Sequence, residues 1–420
     1  AFFVFWAGRE LDGDGVGLLA GLLTALAPGM ALFSNLLLAH HPTLVGLSLF
    51  LFAFLRMMRT QSRAAALAAG VGLSFAMLCR PMTAAGVALP FGLWLAWRLL
   101  RAEPAGRAPW ALVWRDRLWI IAVLAAPLVA GFGVIAWQGR ALTGEWTTTA
   151  YQLYTDIYTP RHVYGFDNVK RGEERLGPKV LESYDSWAEN LTPALAARNV
   201  RNRVVASAQW MLGVVPLAMA AVVFLAWVPA TDRRWRLIAA SLLSLHALHV
   251  PYWYDGIMHY HYVFESGPLL LLMFAGATAA LFRRWRAWRR PWMPVWWGGL
   301  IAVPLLTAYS VPDPLVWPIS RTDAAVAEIA FSRRQYWAFN RWIEQRVTDR
   351  PALVLIDPGP ESRHIDFVLN DPPLDGPVLR GRFRPGRTDI DAVRQQFPDR
   401  SLSLIRIRPE GWTEVPLRRE

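Results

Sequence analysis

Residues 69–95 read AGVGLSFAMLCRPMTAAGVALPFGLWL, two apolar runs that are separated by the dipeptide Arg80-Pro81. Because proline lacks a backbone donor and restricts the residue before it to extended shapes, we expect one helix to end near Cys79 and the next to begin after Arg80. A charged side chain between two apolar helices is a functional hypothesis by default. The alternative is that Arg80 marks the interfacial end of a helix and extends toward lipid headgroups. The stretch therefore predicts a tight turn between two membrane helices, with Arg80 as a candidate functional residue.

The whole chain shares this apolar character. Of its 420 residues, 54% are hydrophobic and 22 are Trp, and the mean hydropathy is +0.24. Soluble globular chains are nearer about 45–50% apolar, and the excess here falls in blocks that approach the ~20 residues a helix needs to cross hydrocarbon. After a stub at 1–7, these blocks are 15–33, 43–57, 64–79, 82–99, 118–137, 206–228, 237–251, 263–282 and 292–310. They predict a polytopic α-helical membrane protein with about nine to ten spans.

The positions of the basic residues predict the topology. The net charge is +12, but the arginines cluster in short loops between apolar blocks, which is the pattern of cytoplasmic loops and argues against nucleic acid as a partner. These loops are RMMRTQSR (56–63), RLLRAEPAGRAPWALVWRDR (98–117), TDRRWR (231–236) and RRWRAWRR (283–290). Two apolar blocks lie between each consecutive pair, so all four loops can share one side. We therefore expect a multi-pass protein of the inner (cytoplasmic) membrane, surrounded by membrane lipids.

The same topology distributes the remaining polar segments. GRELDGDG (8–15) falls in the cytoplasm, and the extracytoplasmic side receives LLLAHHPT (36–43), the turn at 79–82, a long loop at 138–205, the stretch 252–262 and the tail. The predicted domains are a transmembrane domain at 1–310 and a C-terminal extracytoplasmic domain at 311–420. Because Ala1 begins inside an apolar stub, we expect the transmembrane domain to be N-terminally truncated, with at least one helix and one loop before it.

The tail has the pattern of a small α/β domain. Residues 322–347 have helical apolar spacing, with acidic residues early and arginines late, as the helix dipole favours. ALVLI (352–356) and LSLIRI (402–407) are typical of strands, and DIDAVRQQF (389–397) of a short helix between them. No nucleotide-binding glycine loop, HExxH or GxSxG motif occurs in this tail.

Several charged or histidine residues on the predicted extracytoplasmic side are candidates for a site. His40 and His41 follow an apolar run, and a histidine can act as a base near neutral pH or simply cap a helix end. Arg161 and Lys170 lie in the long loop, where they either bind an anionic group or belong to a solvated charged surface. The residue types alone leave both alternatives open.

The stretch YWYDGIMHYHYVFESGP (252–268) contains the remaining candidates, which are His259, Tyr260, His261 and Glu265. With Asp255 and the preceding His246 and His249 they contain enough ligand types for zinc, but they match no known spacing motif. The tyrosines and tryptophan around them are typical of an interfacial aromatic belt. We favour a sugar or phosphate rim or an interface anchor over a metal site.

The order of these features resembles the GT-C superfamily of membrane glycosyltransferases, in particular the bacterial relatives of protein O-mannosyltransferases and lipid A aminoarabinose transferases. The resembling segments are GRELDGDGVGLLAGLLTALAPGMALFSNLLLAHHPTLVGLSLFLFAFLR (8–56), AGVGLSFAMLCRPMTAAGVALPFGLWL (69–95), IYTPRHVYGFDN (157–168) and GIMHYHYVFESGPLLLLM (256–273). The resemblance implies transfer of a sugar from a polyprenyl-phosphate donor to a lipid, glycan or protein acceptor on the extracytoplasmic face.

The resemblance also implies roles for residues. The general base of the family lies in a first extracytoplasmic loop, which would precede Ala1, and His40 and His41 stand where a second acidic residue is usual. The departing lipid phosphate needs a cation, for which Arg80 is the best candidate, with Arg161, Lys170 and the 259–265 stretch as further donor-phosphate or sugar ligands. No cofactor is certain, and a divalent metal stays open because relatives differ.

Two other functional classes remain open. A transporter or flippase for a lipid-linked sugar would show internal repeats and paired broken helices, and the sequence has one break, at Arg80-Pro81. A non-catalytic subunit of a cell-envelope glycan assembly is the third hypothesis, because the expected acidic residues are replaced or precede the chain.

Overall fold

The computed structural model describes residues 1–34, 38–100, 114–286, 298, 302, 321–358, 367–408, 411–415 and 417. The chain divides into two compact units, one of Ala1–Val180 with Ala188–Asp323 and the other of Leu181–Trp187 with Ala324–Glu420. The domain boundary predicted near residue 310 lies outside the described residues, so it stays a prediction.

Helices dominate the secondary structure. In chain order they are α1 (Phe2–Asp12), α2 (Asp14–Leu26), α3 (Pro28–Phe33), α4 (His40–Thr60), α5 (Arg63–Cys79), α6 (Pro81–Leu100), α7 (Trp114–Thr143), α8 (Ala150–Tyr158), α9 (Asn168–Glu173), α10 (Glu182–Asp185), α11 (Pro193–Gln209), α12 (Val214–Thr231), α13 (Arg234–Leu248), α14 (Ser266–Arg286), α15 (Arg321–Arg346) and α16 (Ile390–Gln396). The strands are β1 (Ala352–Asp357), β2 (Val378–Arg382), β3 (Ser401–Arg408) and β4 (Gly411–Val415).

Three helices among the described residues are long and apolar enough to cross a membrane. They are His40–Thr60, Leu118–Thr143 and Ser266–Arg284. Helices α11 and α12 satisfy the same criteria together, but the chain bends by 93° between them, so at most one broken span is added. The fold is thus mostly helical with a few candidate membrane spans, and the predicted nine to ten spans are not confirmed.

The difference in span number has local causes. The predicted block 15–33 is divided between α2 and α3, and Pro28 begins the second of these helices. Helices α5 and α13, with 17 and 15 residues, are short for a full crossing. The predicted block 292–310 lies outside the described residues apart from 298 and 302.

The segment predicted as a long loop, 138–205, contains regular structure. It includes the end of α7, the helices α8, α9 and α10, a short 3-10 helix at Pro160–His162, and most of α11. Thr149 and Thr192 cap α8 and α11, each accepting a bond from a backbone amide of the first turn. Local capping therefore gives helices to a segment whose polarity suggested a loop.

Acidic and basic segments from distant parts of the first unit meet at one end of α4. Glu10 accepts hydrogen bonds from Arg59 at 2.6 and 2.9 Å, and Asp12 pairs with Arg283 at 2.9 Å. The 21 residues of α4 span about 30 Å, so this end is far from His40. The structure groups the acidic segment 8–15 with residues of two arginine-rich segments, and the cytoplasmic side assigned to them stays a prediction.

Small residues let α4 and α5 approach closely. A Cβ atom on Gly46 would lie 2.7 Å from the carbonyl oxygen of Gly72, and one on Gly72 would lie 2.7 Å from that of Gly46. Such backbone contact is typical of helices that pack in membranes, where small residues line the interface. The crossing fixes His40, at the start of α4, relative to Cys79, at the end of α5.

The second unit contains a four-stranded sheet of order β2-β1-β3-β4. The central strand β1 pairs parallel with β2 and β3, and β4 runs antiparallel to β3. All six residues of β1 are buried, and Phe339 and Ile343 of α15 pack in the same core as Val354 and Ile356. The predicted strands and helices of the small α/β domain are confirmed, with β2 and β4 as additional strands.

Candidate functional site

Four side chains from separate parts of the chain meet at the N-terminal end of α4. His40 begins that helix, Arg80 separates α5 from α6, and His261 and Glu265 precede α14. Arg80 has extended backbone angles of φ −149° and ψ 85°, because Pro81 prevents α5 from continuing. The break turns the guanidinium toward residues that lie 40 and 185 positions away in sequence.

Glu265 and His40 form a buried pair. Oε1 of Glu265 lies 3.2 Å from Nδ1 of His40, and their side chains are 0% and 1% exposed. Because an ionised carboxylate only accepts hydrogen bonds, we assign the proton of His40 to Nδ1. Nε2 of His40 then accepts, and it lies 3.4 Å from Nδ1 of His261. The result is a chain of contacts from Glu265 through His40 to His261.

Arg80 contacts all three of these residues. Its Nη1 lies 3.4 Å from Oε1 of Glu265, donates to the backbone carbonyl of His261 at 3.1 Å, and lies 3.1 Å from Nε2 of His40. It also contacts Nδ1 of His40. One guanidinium nitrogen thus touches all three of its neighbours, and we call His40, Arg80, His261 and Glu265 the four-residue cluster.

The charges of the four-residue cluster balance. Burial would raise the pKa of Glu265, but the charge of Arg80 and the hydrogen bond from His40 outweigh it and hold this pKa below its usual value. Burial, together with the neighbouring His40 and Arg80, lowers the pKa of His261 to about 3. At neutral pH Glu265 is therefore ionised, and His261 is neutral.

One oxygen of Glu265 has no hydrogen-bond partner among the described residues. This atom is Oε2, and it is buried. A buried acceptor without a partner costs about 1–3 kcal/mol, so this oxygen is available to a further donor.

A polar face of α11 holds the turn that carries His261. Arg203, which is 1% exposed, donates to the backbone carbonyls of Tyr252 at 3.2 Å and Tyr254 at 2.7 Å. Asn199 donates to the carbonyl of Trp253 at 2.7 Å, and Asn202 to Oδ2 of Asp255 at 2.8 Å. These hydrogen bonds satisfy the backbone of a turn that has little regular structure of its own.

The turn also contains backbone that glycine favours. Gly256 has φ 101°, and Met258 and His259 both have φ 54°, which is uncommon for residues with a side chain. Strained conformations of this kind persist where the surroundings determine them, and they are frequent at binding sites. Here the surroundings include Trp210, whose indole Nε1 donates to the carbonyl of Met258 at 3.3 Å.

Tyr262 links the two arginines. The guanidinium carbons of Arg80 and Arg203 lie 6.0 and 5.7 Å from the centre of its ring. His261 packs edge-on against the same ring, with 4.7 Å between the ring centres. The ring therefore connects Arg203 of α11 with the four-residue cluster.

The other predicted site residues have different surroundings. The ring of His41 packs at 5.3 Å from that of Phe264. Tyr260 is fully buried, and its hydroxyl donates to the carbonyl of Phe264 at 3.0 Å. His259 is half-exposed and pairs with Asp255 at 2.8 Å, and this hydrogen bond raises the pKa of His259.

The two predicted site residues of the 138–205 segment have partners within that segment. Arg161 pairs with Glu173 at 3.7 Å, and the exposed Lys170 pairs with Asp167 at 3.3 Å. Arg161 also accepts a hydrogen bond at its carbonyl from Asn168. These contacts order the segment, and we do not include the two residues in the cluster.

Among the described residues, no group of three or more His, Cys, Asp or Glu side chains has the arrangement of a metal site. In the cluster, the guanidinium of Arg80 occupies the space among His40, His261 and Glu265.

Sequence reasoning missed Arg203, Asn199 and Asn202, because they fall where a loop gives way to a predicted span. A signal was present: Asn199, Arg203 and Ser207 recur every four residues, which places them on one face of a helix.

Comparison with known proteins finds no protein-family model that matches this chain and no curated protein with significant similarity to it.

Proposed function

We propose that this protein transfers a sugar from a polyprenyl-phosphate donor to a lipid, glycan or protein acceptor. The observation that supports the proposal is the meeting of His40, Arg80, His261 and Glu265 in one buried cluster. This set combines a cation for a departing phosphate with groups that can accept a proton, which are the two requirements of the reaction.

Arg80 stabilises the leaving group in this proposal. When the bond between the sugar and the lipid phosphate breaks, negative charge develops on the phosphate, and a preorganised guanidinium lowers the energy of that state. Arginine suits this role because its fork can bind two phosphate oxygens at once.

His261 takes the proton of the acceptor hydroxyl, and His40 and Glu265 lie behind it in the chain of contacts. His261 is the more exposed histidine of the cluster, and its Nδ1 lies against His40. A proton accepted at Nε2 of His261 creates a positive charge, which the carboxylate of Glu265 offsets through the chain of contacts across His40. In this proposal the base belongs to the four-residue cluster itself.

The membrane arrangement belongs to the same proposal. We propose about nine to ten spans in an inner membrane, with the arginine-rich loops in the cytoplasm and the cluster and the C-terminal α/β domain on the extracytoplasmic side. The pairing of Glu10 with Arg59 at one end of α4, and of His40 with Glu265 at the other, supports the assignment of these segments to two sides.

The full-length protein, reconstituted in liposomes, tests the proposal with a panel of polyprenyl-phosphate sugars that carry a radiolabel in the sugar. We expect transfer or release of label, and a loss of kcat of about 10²–10³-fold in Arg80→Ala, the range for removing one charge-stabilising donor. Arg198→Ala, an exposed arginine paired with Glu189, is the matched control. Turnover by Arg80→Ala at the rate of the control would remove Arg80 from the mechanism.

A transporter for a lipid-linked sugar is the second candidate, and one observation favours it. Transporter sites are often built from discontinuous helices, and the cluster and its scaffold lie at two such breaks, α5–α6 and the 93° bend between α11 and α12. Proteoliposomes distinguish the two: movement of a fluorescent lipid-linked sugar between leaflets without transfer of the sugar would favour transport.

A further inference from the structure

We infer that Glu265 occupies the binding position of the donor phosphate at Arg80, so that the donor binds by exchanging one ion pair for another. The inference rests on the proposed function and specifies how the site recognises its ligand. Its chemical class is the phosphate monoester or diester at the head of a polyprenyl chain.

The exchange is supported first by the geometry of the existing ion pair. Nη1 of Arg80 and Oε1 of Glu265 are 3.4 Å apart, whereas charge-assisted hydrogen bonds between such groups are about 2.7–2.9 Å long. Oε1 also accepts from His40, and Oε2 has no partner among the described residues. The carboxylate is therefore incompletely satisfied by Arg80, and breaking this contact costs less than breaking an ideal pair.

The second support is access. The side chain of Arg80 is 14% exposed and that of Glu265 is fully buried, so an anion that reaches the cluster meets the guanidinium first. The hydrogen bonds of the Arg80 side chain with His40, His261 and Glu265 all come from Nη1. Its other terminal nitrogen can donate to a phosphate, and both terminal nitrogens can do so once Glu265 has been displaced.

The exchange has a consequence for catalysis. A phosphate at Arg80 neutralises the positive charge that lowers the pKa values of Glu265 and His261, so both pKa values rise when the donor binds. The carboxylate keeps its hydrogen bond with His40. Donor binding thereby converts a self-neutralised cluster into one that accepts a proton from the acceptor hydroxyl.

Binding measurements on the purified full-length protein in detergent test this exchange. The ligands are undecaprenyl phosphate, the uncharged undecaprenol and phosphatidylglycerol, and the variants are Glu265→Gln and Glu10→Gln. Glu10 is the matched control because it is also a buried glutamate paired with arginine, at the other end of α4. We expect Glu265→Gln to bind undecaprenyl phosphate at least about tenfold more tightly than wild type, since a competing negative charge is removed from beside the ligand.

The outcomes separate this inference from the proposed function. If wild type prefers undecaprenyl phosphate to undecaprenol but Glu265→Gln binds it no more tightly, the exchange is wrong and the proposed donor stands. If wild type and variant both fail to prefer the phosphate, the proposed donor and the exchange are wrong together. Equal tightening for phosphatidylglycerol would overturn the assignment to a polyprenyl donor. Where Glu265→Gln does not fold, Glu265→Ala removes the carboxylate without adding a donor, and the same expectation applies.

Discussion

Arg203 donates a hydrogen bond to the backbone carbonyl of Tyr254 at 2.7 Å, across 51 positions of sequence. The same guanidinium reaches the carbonyls of His249 and Tyr252, so a single buried side chain holds three peptide groups of one turn. The turn leads directly into His261 and Glu265. The geometry of the cluster thus depends on a residue that does not contact Glu265 or His40 in the described structure.

Arg203→Lys is expected to destabilise the protein. An ammonium group is compact and cannot span three carbonyls, and each buried carbonyl left without a donor costs about 1–3 kcal/mol. Thermal unfolding in detergent, followed by circular dichroism, measures the loss as a lower Tm. Arg201→Lys is the matched control, because Arg201 lies on the exposed face of the same helix. Equal Tm values for the two variants would contradict the scaffold role of Arg203.

His40 and His41 are adjacent, and they are expected to respond differently to substitution. Replacing His40 by Asn interrupts the contacts between Glu265 and His261, so kcat should fall by about 10²–10⁴-fold, the range for general acid–base groups. His41 packs against Phe264 outside these contacts, and His41→Asn should change the barrier by less than about 1 kcal/mol, or about fivefold in rate. Steady-state kinetics of both variants decide this, and a larger loss for His41→Asn would reverse the assignment.

The sequence names all four residues of the cluster as candidates, together with five that lie outside it: His41, Arg161, Lys170, His259 and Tyr260. Counting apolar blocks between arginine-rich loops assigns the segments of His40, Arg80 and His261 to one side, and the structure brings these three side chains into contact. Charge placement and helix length act over whole segments, so errors of a few residues do not alter this expectation, and the sides themselves stay a prediction. The proline after Arg80 added a local signal that fixed the break between α5 and α6.

The scaffold and the number of spans were harder to predict. Whether a helix crosses a membrane depends on its breaks and its direction, and neither Pro28 nor the bend at 210–213 changes hydropathy much. Arg203 was missed for a related reason: its partners are backbone carbonyls, and these have no signature in the sequence. Which of the two histidines pairs with Glu265 depends on the helix phase at the start of α4, and the structure shows that it is His40.

Acid should destabilise the protein through His261. Its pKa is about 3 in the folded chain against 6.5 ordinarily, so below about pH 6.5 the unfolded state binds a proton that the folded state does not. Stability therefore falls as the pH decreases from about 6.5 toward 3, by at most about 1.4 kcal/mol per pH unit for this one group. Burial and the neighbouring His40, Arg80 and His249 lower this pKa.

The measurement is Tm against pH for wild type and His261→Asn. The variant lacks the titrating group, so its Tm should decline less steeply between pH 6.5 and 4. Parallel curves for the two proteins would show that His261 does not carry this acid sensitivity.

Gly46→Val is expected to separate α4 from α5 and so to disturb the cluster from a distance. Its Cβ would lie 2.7 Å from the carbonyl oxygen of Gly72, and backbone atoms cannot give way as a flexible side chain does. Overpacking of this kind costs about 1–3 kcal/mol, which should lower Tm.

Gly92→Val is the matched control, since a Cβ there meets no described atom within 4 Å. Because α4 begins at His40 and α5 ends beside Arg80, Gly46→Val should also reduce kcat, whereas Gly92→Val should leave both Tm and kcat nearly unchanged. Loss of stability without any loss of kcat would mean that the helix crossing does not set the distance between His40 and Arg80.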